Sequence, residues 1–295
     1  PMSHKQDIYQ VDFNHPVHVY FIGIGGISMS GLAEILLSEG FTVSGSDWNR
    51  SPLTDRLEQQ GAVIHYGRPQ KAENLEDDVE LVIYTAAVHA DNPEFQETLR
   101  RNLPSLTRAQ LLGQMMKNYR MPVAVSGTHG KTTTTSMIAE ILLKADTDPT
   151  ISVGGILKDI GGNIRVGGSE LFVTEACEYT NSFLSFFPKV GIILNIEEDH
   201  MDFFKDLADI RSSFHRFAEL IPEDGLLIIN GSIPQLSEIT GGLACRVVTF
   251  GASPENDYYF TNTSHDEEAH ASFSLHFHGQ VLPVRLGVPG EHNIA

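Results

Sequence analysis

A chain of 295 residues with 41% hydrophobic and 20% charged residues is globular in composition and long enough for about two domains, each with its own core. No apolar run approaches the ~20 residues that span a bilayer, and a formal net charge of −18 disfavours a broad basic face for nucleic acid or anionic membrane. The two cysteines, Cys177 and Cys245, form no spacing motif, which points to a reducing cytoplasm without a disulfide framework or a cysteine zinc site.

The opening Pro1-Met-Ser carries no structural weight. Val17 to Ile22 reads as a strand, followed directly by Gly23-Ile-Gly-Gly-Ile-Ser-Met-Ser-Gly31 and by a helix through Leu32, Ile35 and Leu36 that stops at Gly40. This is the opening of a Rossmann-like unit, with glycines where backbone approaches a diphosphate; Ser28 stands where the fingerprint has its third glycine. Phe41 to Gly45 makes a second strand. Asp47, 22 residues after Gly25, is placed either to accept a ribose hydroxyl or to serve the turn Ser46-Asp-Trp-Asn49.

Ser51-Pro52 predicts a capped helix ending at Gly61, and Ala62 to His65 and Val79 to Thr85 are further strands. The acidic stretch Glu73 to Asp78 reads as a solvated loop. Thr85-Ala-Ala-Val-His89 follows a strand, so it and the 23–31 loop are expected to line one crevice outside the carboxyl ends of the sheet. His65 either reaches that crevice or is a satisfied polar residue. Pro93 begins another helix, and an amphipathic helix from Thr107 to Met116 reads as the connection to a second domain.

That domain opens on the strand Pro122 to Ser126, the turn Gly127-Thr-His-Gly-Lys-Thr132 and a helix from Lys131 to Lys144 with Met137, Ile138, Ile141 and Leu142 on one face. Glycines at 127 and 130 let backbone N–H groups converge on an anion at a helix N-terminus. Lys131 would reach outer phosphates and the Thr132 hydroxyl would ligate magnesium. The pattern is G-x-x-G-K-T, since Val125 occupies the first glycine position of the longer phosphate-loop motif.

Strands are expected at Thr150 to Val153, Leu171 to Thr174, Val190 to Leu194 and Leu226 to Ile229, with Gly154 to Gly168 an exposed loop. Two strands deliver Glu175 and Asn195 to the edge that carries the phosphate loop, with Asp199-His200 close behind, a set of ligands suited to magnesium. A helix from Asp206 carries Leu207, Ile210, Phe214, Phe217 and Ile221 on its core face. Tyr258 to Leu286 alternates around His278-Gly279 as an antiparallel hairpin, and His270, His276 and His278 are assigned no metal.

Five stretches in order, Phe21-Ile-Gly-Ile-Gly-Gly-Ile-Ser-Met-Ser-Gly31, Gly127-Thr-His-Gly-Lys-Thr132, Glu175-Ala-Cys-Glu-Tyr179 with Ser182-Phe-Leu184, Asn195-Ile-Glu-Glu-Asp-His200, and Gly290-Glu-His-Asn293, resemble the Mur ligase family of peptidoglycan synthesis. The resemblance implies an α/β fold: a Rossmann-like UDP-sugar domain over 1–105, a linker helix over 106–121, and a P-loop ATPase-like central domain over 122–295 with an added antiparallel hairpin. It places ATP on Gly127, Thr128, His129, Gly130, Lys131, Thr132, Thr133, His292 and Asn293. Mg2+ falls on Thr132, Glu175 and His200, and catalysis on Lys131, Glu175 and His200. The UDP-sugar falls on Gly23, Gly25, Gly26, Ile27, Ser28, Asp47, Thr85, Ala86, Ala87 and Val88. Cys177 and Tyr179 depart from the family's E-A-D-E-S run.

The implied reaction is cytoplasmic and ATP-dependent. ATP phosphorylates the lactyl carboxylate of UDP-N-acetylmuramate, and the amine of L-alanine then attacks the acyl phosphate. Relatives continue past the last motif into an amino-acid-binding domain, so this stretch is expected to bind substrate and to be inactive alone. Three other readings stand beside this one: a related ligase adding another amino acid or a peptide, a non-catalytic nucleotide-binding module, and a nicotinamide-dependent oxidoreductase, which Ser28 and the phosphate loop weaken. The sequence carries no signal of oligomeric state.

Overall fold

The structure, a computed structural model, describes residues 8–294; the Pro1-Met-Ser start lies outside them. The first sheet is built from β1 (His18–Ile22), β2 (Thr42–Asp47), β3 (Val63–Tyr66), β4 (Leu81–Tyr84) and β5 (Ser105–Thr107), with helices α1 (Ile27–Ser38), α2 (Pro52–Gln59), α3 (Pro93–Arg100) and α4 (Arg108–Met116). All its pairings are parallel, in the order β3-β2-β1-β4-β5. The strand order therefore reverses between β1 and β4, where an open α/β sheet forms its crevice. The expected strand, glycine loop and helix appear as β1 and α1. Strand β5, only three residues long, was not read from the sequence.

The helix starts have local chemical causes. Ser51 caps α2 through a reciprocal pair with Thr54, Asn92 caps α3 ahead of Pro93, and Thr107 exchanges hydrogen bonds with Gln110 at the start of α4. Tyr20, Ile22, Leu75, Val79 and Val82 make one core cluster, against which Tyr84, Val88 and Phe95 pack. In α4, a Cβ on Gly113 would lie 1.9 Å from the Ser185 carbonyl oxygen, so only glycine permits that approach.

The second sheet contains β6 (Met121–Ser126), β7 (Thr150–Leu157), β8 (Gly162–Arg165), β9 (Leu171–Ala176), β10 (Val190–Ile193), β11 (Leu226–Asn230), β12 (Arg246–Gly251), β13 (Tyr258–His265), β14 (His270–Phe277) and β15 (Gln280–Pro289). Its order is β15-β14-β13-β12-β11-β10-β6-β9-β7-β8. Helices α5 (Lys131–Lys144), α6 (Leu207–Glu219) and the short α7 (Ser237–Thr240) accompany it. By packing, the described residues divide into two compact units: residues 8–120, 136–173 and 185–187, and residues 121–135, 174–184 and 188–294.

Three expectations are corrected. Residues 154–168 are not a free loop: β7 pairs antiparallel with β8, and Gly161 makes the left-handed turn between them. Tyr258 to Leu286 is not one hairpin but three strands, because β13 pairs with β14 as well as β14 with β15 around His278-Gly279. Helix α5 does not bury the Met137–Ile141 face; Ile141 is 66% exposed, while Thr135 and Ala139 are buried and Leu143 packs beside Ala139 on Ile151 and Val153. Small residues set this face, since strands can approach Thr135 and Ala139 more closely than a row of long side chains. Helix α6 matches its expected face, with Ile210, Phe214 and Phe217 buried and Phe183 stacked on Phe217 at 4.7 Å.

The acidic stretch before β4 is tied down rather than fully solvated. Glu76 accepts hydrogen bonds from Ser44 and His65, and Asp78 lies 2.9 Å from His18. Behind the carboxyl edge of the first sheet lies a fully buried carboxylate, Glu94. It accepts hydrogen bonds from Tyr20 at 2.8 Å, Asn74 at 2.8 Å and Ser46 at 2.6 Å. Burial holds its carboxyl above the ordinary range, against those three donors, which favour the charged form.

A raised folded-state pKa means that the folded chain holds more protons than the unfolded one, so this group's contribution to stability falls as pH rises above about 4.5. Glu94→Gln removes that titration and leaves the Ser46 hydroxyl without its acceptor, at a cost of about 1–3 kcal/mol. In denaturant unfolding, the deficit of the variant is expected to be largest near pH 4.5 and to shrink as pH rises. A deficit that grows with pH would contradict the assignment.

Candidate active site

Two loops at strand ends present backbone N–H groups. The first follows β1. Gly23 sits at φ +81°, and the N–H groups of Gly23 and Ile24 donate to Ser46 O, while Gly25 N–H donates to Asp47 Oδ2 at 2.8 Å. Asp47 Oδ1 accepts from Trp48 N–H. The carboxylate thus holds the glycine loop. Helix α1 begins at Gly26 with no side-chain cap and no acidic residue in its first turn, an arrangement that leaves its N-terminus open to an anion.

In front of this loop is a cavity of about 890 Å³ lined by the ends of β1, β2, β3 and β4. Of the residues predicted from sequence, Gly23, Gly25, Gly26, Asp47, Thr85, Ala87 and Val88 line it; Ile27, Ser28 and Ala86 share those loops without lining it. His89, in the loop expected at this crevice, lines it too; Trp48, Arg68, Gln70 and Asn92 also line it and were missed, because they come from segments that spacing alone does not bring together. His65 is not among the lining residues; its Nε2 is 3.0 Å from Glu76. Gln70 and Asn92 hydrogen-bond each other, and Gln70 donates to Ser46, which joins the cavity wall to the Glu94 network.

The second loop follows β6. Gly127 at φ +146° and Gly130 at φ +83° adopt conformations that favour glycine. Asn195, delivered by β10, staples the loop: its Oδ1 accepts from His129 N–H at 2.8 Å, its Nδ2 donates to His129 O at 3.1 Å, and its carbonyl accepts from Thr128 N–H. Glu197 N–H donates to Thr128 Oγ1 at 2.9 Å. Thr132 and Thr133 lie in the first turn of α5, and Thr132 is exposed.

Lys131 curls back over its own loop. Its Nζ donates to Gly127 O at 2.6 Å, Thr128 O at 3.2 Å and Glu178 Oε2 at 3.3 Å. Glu178 is 2% exposed, its Oε1 has no hydrogen bond, and His200 Nε2 lies 3.7 Å from that oxygen. Glu178 therefore joins Lys131 and His200, and sequence reasoning missed it, because it lies beyond the end of β9, where strand geometry no longer says which way a side chain points. Glu175 lies in β9, partly buried, and Cys177 follows the strand; Cys177 and Cys245 are not joined by a disulfide.

Tyr179, a departure from the family run, stacks on His200 with ring centroids 4.6 Å apart and donates to Asp202. His200 itself is held at φ +52°, with Thr180 and Asn181 also left-handed. His292 and Asn293 sit in a short turn after β15, which five strands separate from β6; Asn293 donates to Pro289 O. Among the described residues, no group of three or more His, Cys, Asp or Glu side chains is arranged to hold a metal ion. A hard cation bound together with phosphate oxygens and water needs only one or two protein ligands, and the buried, unbonded Glu178 oxygen beside His200 fits that demand.

An open parallel first sheet and a lysine-bearing glycine loop in the parallel part of the second sheet define an α/β fold of the doubly wound type. Residues 18–120 match the model of the Mur ligase family, catalytic domain, and residues 125–295 that of the Mur ligase middle domain. The chain belongs to the Mur ligase family. It is 55% identical over 289 residues to the UDP-N-acetylmuramate--L-alanine ligase of Lachnospira eligens, covering 97% of this chain and 62% of that protein. Its identity to the enzyme of the same name from Agathobacter rectalis is also 55%, over 98% of this chain and 62% of the relative.

Among solved structures, UDP-N-acetylmuramate-alanine ligase from Thermotoga maritima superposes with a TM-score of 0.76 at 32% identity, covering 94% of this chain and 62% of that one. The UDP-N-acetylmuramate:L-alanyl-gamma-D-glutamyl-meso-diaminopimelate ligase from Neisseria meningitides gives 0.80 at 28% identity, covering 95% and 90%. The chain thus spans 62% of the length of the curated relatives it matches.

The Lys131–Glu178 pair is open to a double-mutant cycle. Lys131→Met and Glu178→Gln each leave a partly or fully buried group without its partner, so their combined cost in denaturant unfolding is expected to fall short of the sum by about 1–3 kcal/mol. Additive costs would show that the two groups do not interact.

Proposed function

We propose that the chain carries the UDP-sugar and ATP sites of an ATP-dependent UDP-N-acetylmuramate:L-alanine ligase that works in the cytoplasm. In this reading residues 1–105 hold the UDP-sugar, 106–121 connect, and 122–295 hold ATP. The observation that carries it is the constellation of Lys131, Glu178 and His200 on a glycine loop held open by Asn195. The identity to curated L-alanine ligases, 55%, favours alanine over the peptide named for the Neisseria structure, where identity is 28%.

The reaction joins a carboxylate to an amine after ATP has phosphorylated the carboxylate. The chain's part is positioning and charge. Backbone N–H groups at Gly130 and in the first turn of α5 would donate to phosphate oxygens, since those of Thr128 and His129 are held by Asn195, and Lys131 would exchange its two loop carbonyls for the outer phosphates. Thr132, Glu175 and His200 would hold magnesium, with Glu178 beside them. The metal, when bound, neutralises charge that develops on the phosphoryl oxygens. His200, fixed by Tyr179 and by its left-handed backbone, keeps its Nε2 aimed at Glu178.

Isothermal titration of this chain with UDP-N-acetylmuramate, UDP-N-acetylglucosamine and NAD tests the reading. Binding of the muramate sugar in preference to both comparison ligands is the expected result. Binding of NAD alone would overturn it in favour of an oxidoreductase.

A further inference from the structure

Arg68 differs from most arginines of this acidic chain. Arg50, Arg56, Arg101, Arg211 and Arg285 each face a carboxylate. Arg68 makes no hydrogen bond or ion pair among the described residues; its guanidinium lies over the ring of Trp48, 3.0 Å from the centroid. Both residues line the cavity before the β1 loop, and Trp48, the chain's single tryptophan, is 52% exposed.

The other ionisable groups on that lining are Asp47, Asp91 and His89. Asp47 is engaged by the N–H groups of Gly25 and Trp48, which spread its charge into the glycine loop. Two carboxylates oppose any anion that enters. The uncapped N-terminus of α1, reached through Gly25 and Gly26, attracts one. A helix terminus supplies about half a unit of positive charge, too little to offset two carboxylates and seat a doubly charged diphosphate. The cavity needs a full cation, and Arg68 is its only arginine or lysine.

We propose that Arg68 is the diphosphate-binding cation of this cavity, held ready by stacking on Trp48. The proposal rests on the cavity being the UDP-sugar site. A guanidinium is weakly hydrated and stacks on an aromatic face without losing its in-plane donors, so it can pair two phosphate oxygens while its face stays on the indole. Trp48 limits the guanidinium's freedom before ligand arrives, which lowers the ordering cost of binding. Neither residue is marked in the glycine fingerprint; they come from the turns after β2 and β3.

The test is isothermal titration of UDP-N-acetylmuramate at low and high salt into the wild-type chain, Arg68→Ala and Arg68→Lys. Arg68→Ala is expected to bind about ten- to a hundredfold more weakly at low salt. Its affinity should approach that of the wild type at high salt, because the lost term is a charge interaction that salt screens. Arg68→Lys, which keeps the charge but not the planar fork, should fall between them. Equal affinity of wild type and Arg68→Ala at low salt, or a deficit of the same size at both salts, would overturn the proposal. No binding by the wild type would instead overturn the UDP-sugar reading of the cavity and the proposal with it.

Discussion

A glycine loop has few side chains of its own to pack, so its shape must be fixed by hydrogen bonds from outside it. Both glycine loops of this chain meet that constraint with a side chain borrowed from a neighbouring strand end. Asp47, at the end of β2, takes the Gly25 N–H; Asn195, just after β10, takes the N–H and gives to the carbonyl of His129. The choice of side chain follows from what each loop must do. In the proposed function, a neutral amide leaves the 127–132 loop free for a highly charged triphosphate, whereas the carboxylate at Asp47 adds a negative charge that the cavity would offset elsewhere.

The second consequence is where the buried charge sits. Lys131 is 16% exposed and is satisfied by two carbonyls and the carboxylate of Glu178. An ammonium held by loop carbonyls is well seated but not committed, since phosphate oxygens are stronger acceptors than carbonyls. Glu178 keeps one oxygen with no hydrogen bond next to His200, a costly arrangement for a buried carboxylate and one expected where a cation is to be received. Strained backbone at Thr180, Asn181 and His200 surrounds the same point.

Much of this was legible in the sequence because it depends on local chemistry. Helix caps at Ser51 and Asp206, the two glycine loops, the strand that delivers Asn195 and the core face of α6 all follow from residue type and spacing. What escaped depended on tertiary placement. Glu178 lies past the end of β9, where the chain leaves strand geometry, so a spacing of three from Glu175 does not say which carboxylate points at Lys131. The buried face of α5 is set by small residues, which hydrophobic periodicity ignores. Trp48 and Arg68 meet only because β2 and β3 are neighbours in the sheet. The 154–168 stretch paired as β7 and β8 despite its glycines, since Ile164 packs against the Cα of Gly31, a contact between segments far apart in sequence.

In the proposed function, Lys131, which rests on Gly127 O, Thr128 O and Glu178, moves to the phosphates when ATP binds. A crystal structure of this chain with magnesium and a non-hydrolysable ATP analogue tests it directly. The expected result is Lys131 Nζ displaced from the two carbonyls and within hydrogen-bond distance of the outer phosphates, with Glu178 remaining beside His200. A bound analogue with Lys131 still on Gly127 O, or phosphates seated away from the 127–130 turn, would contradict the account.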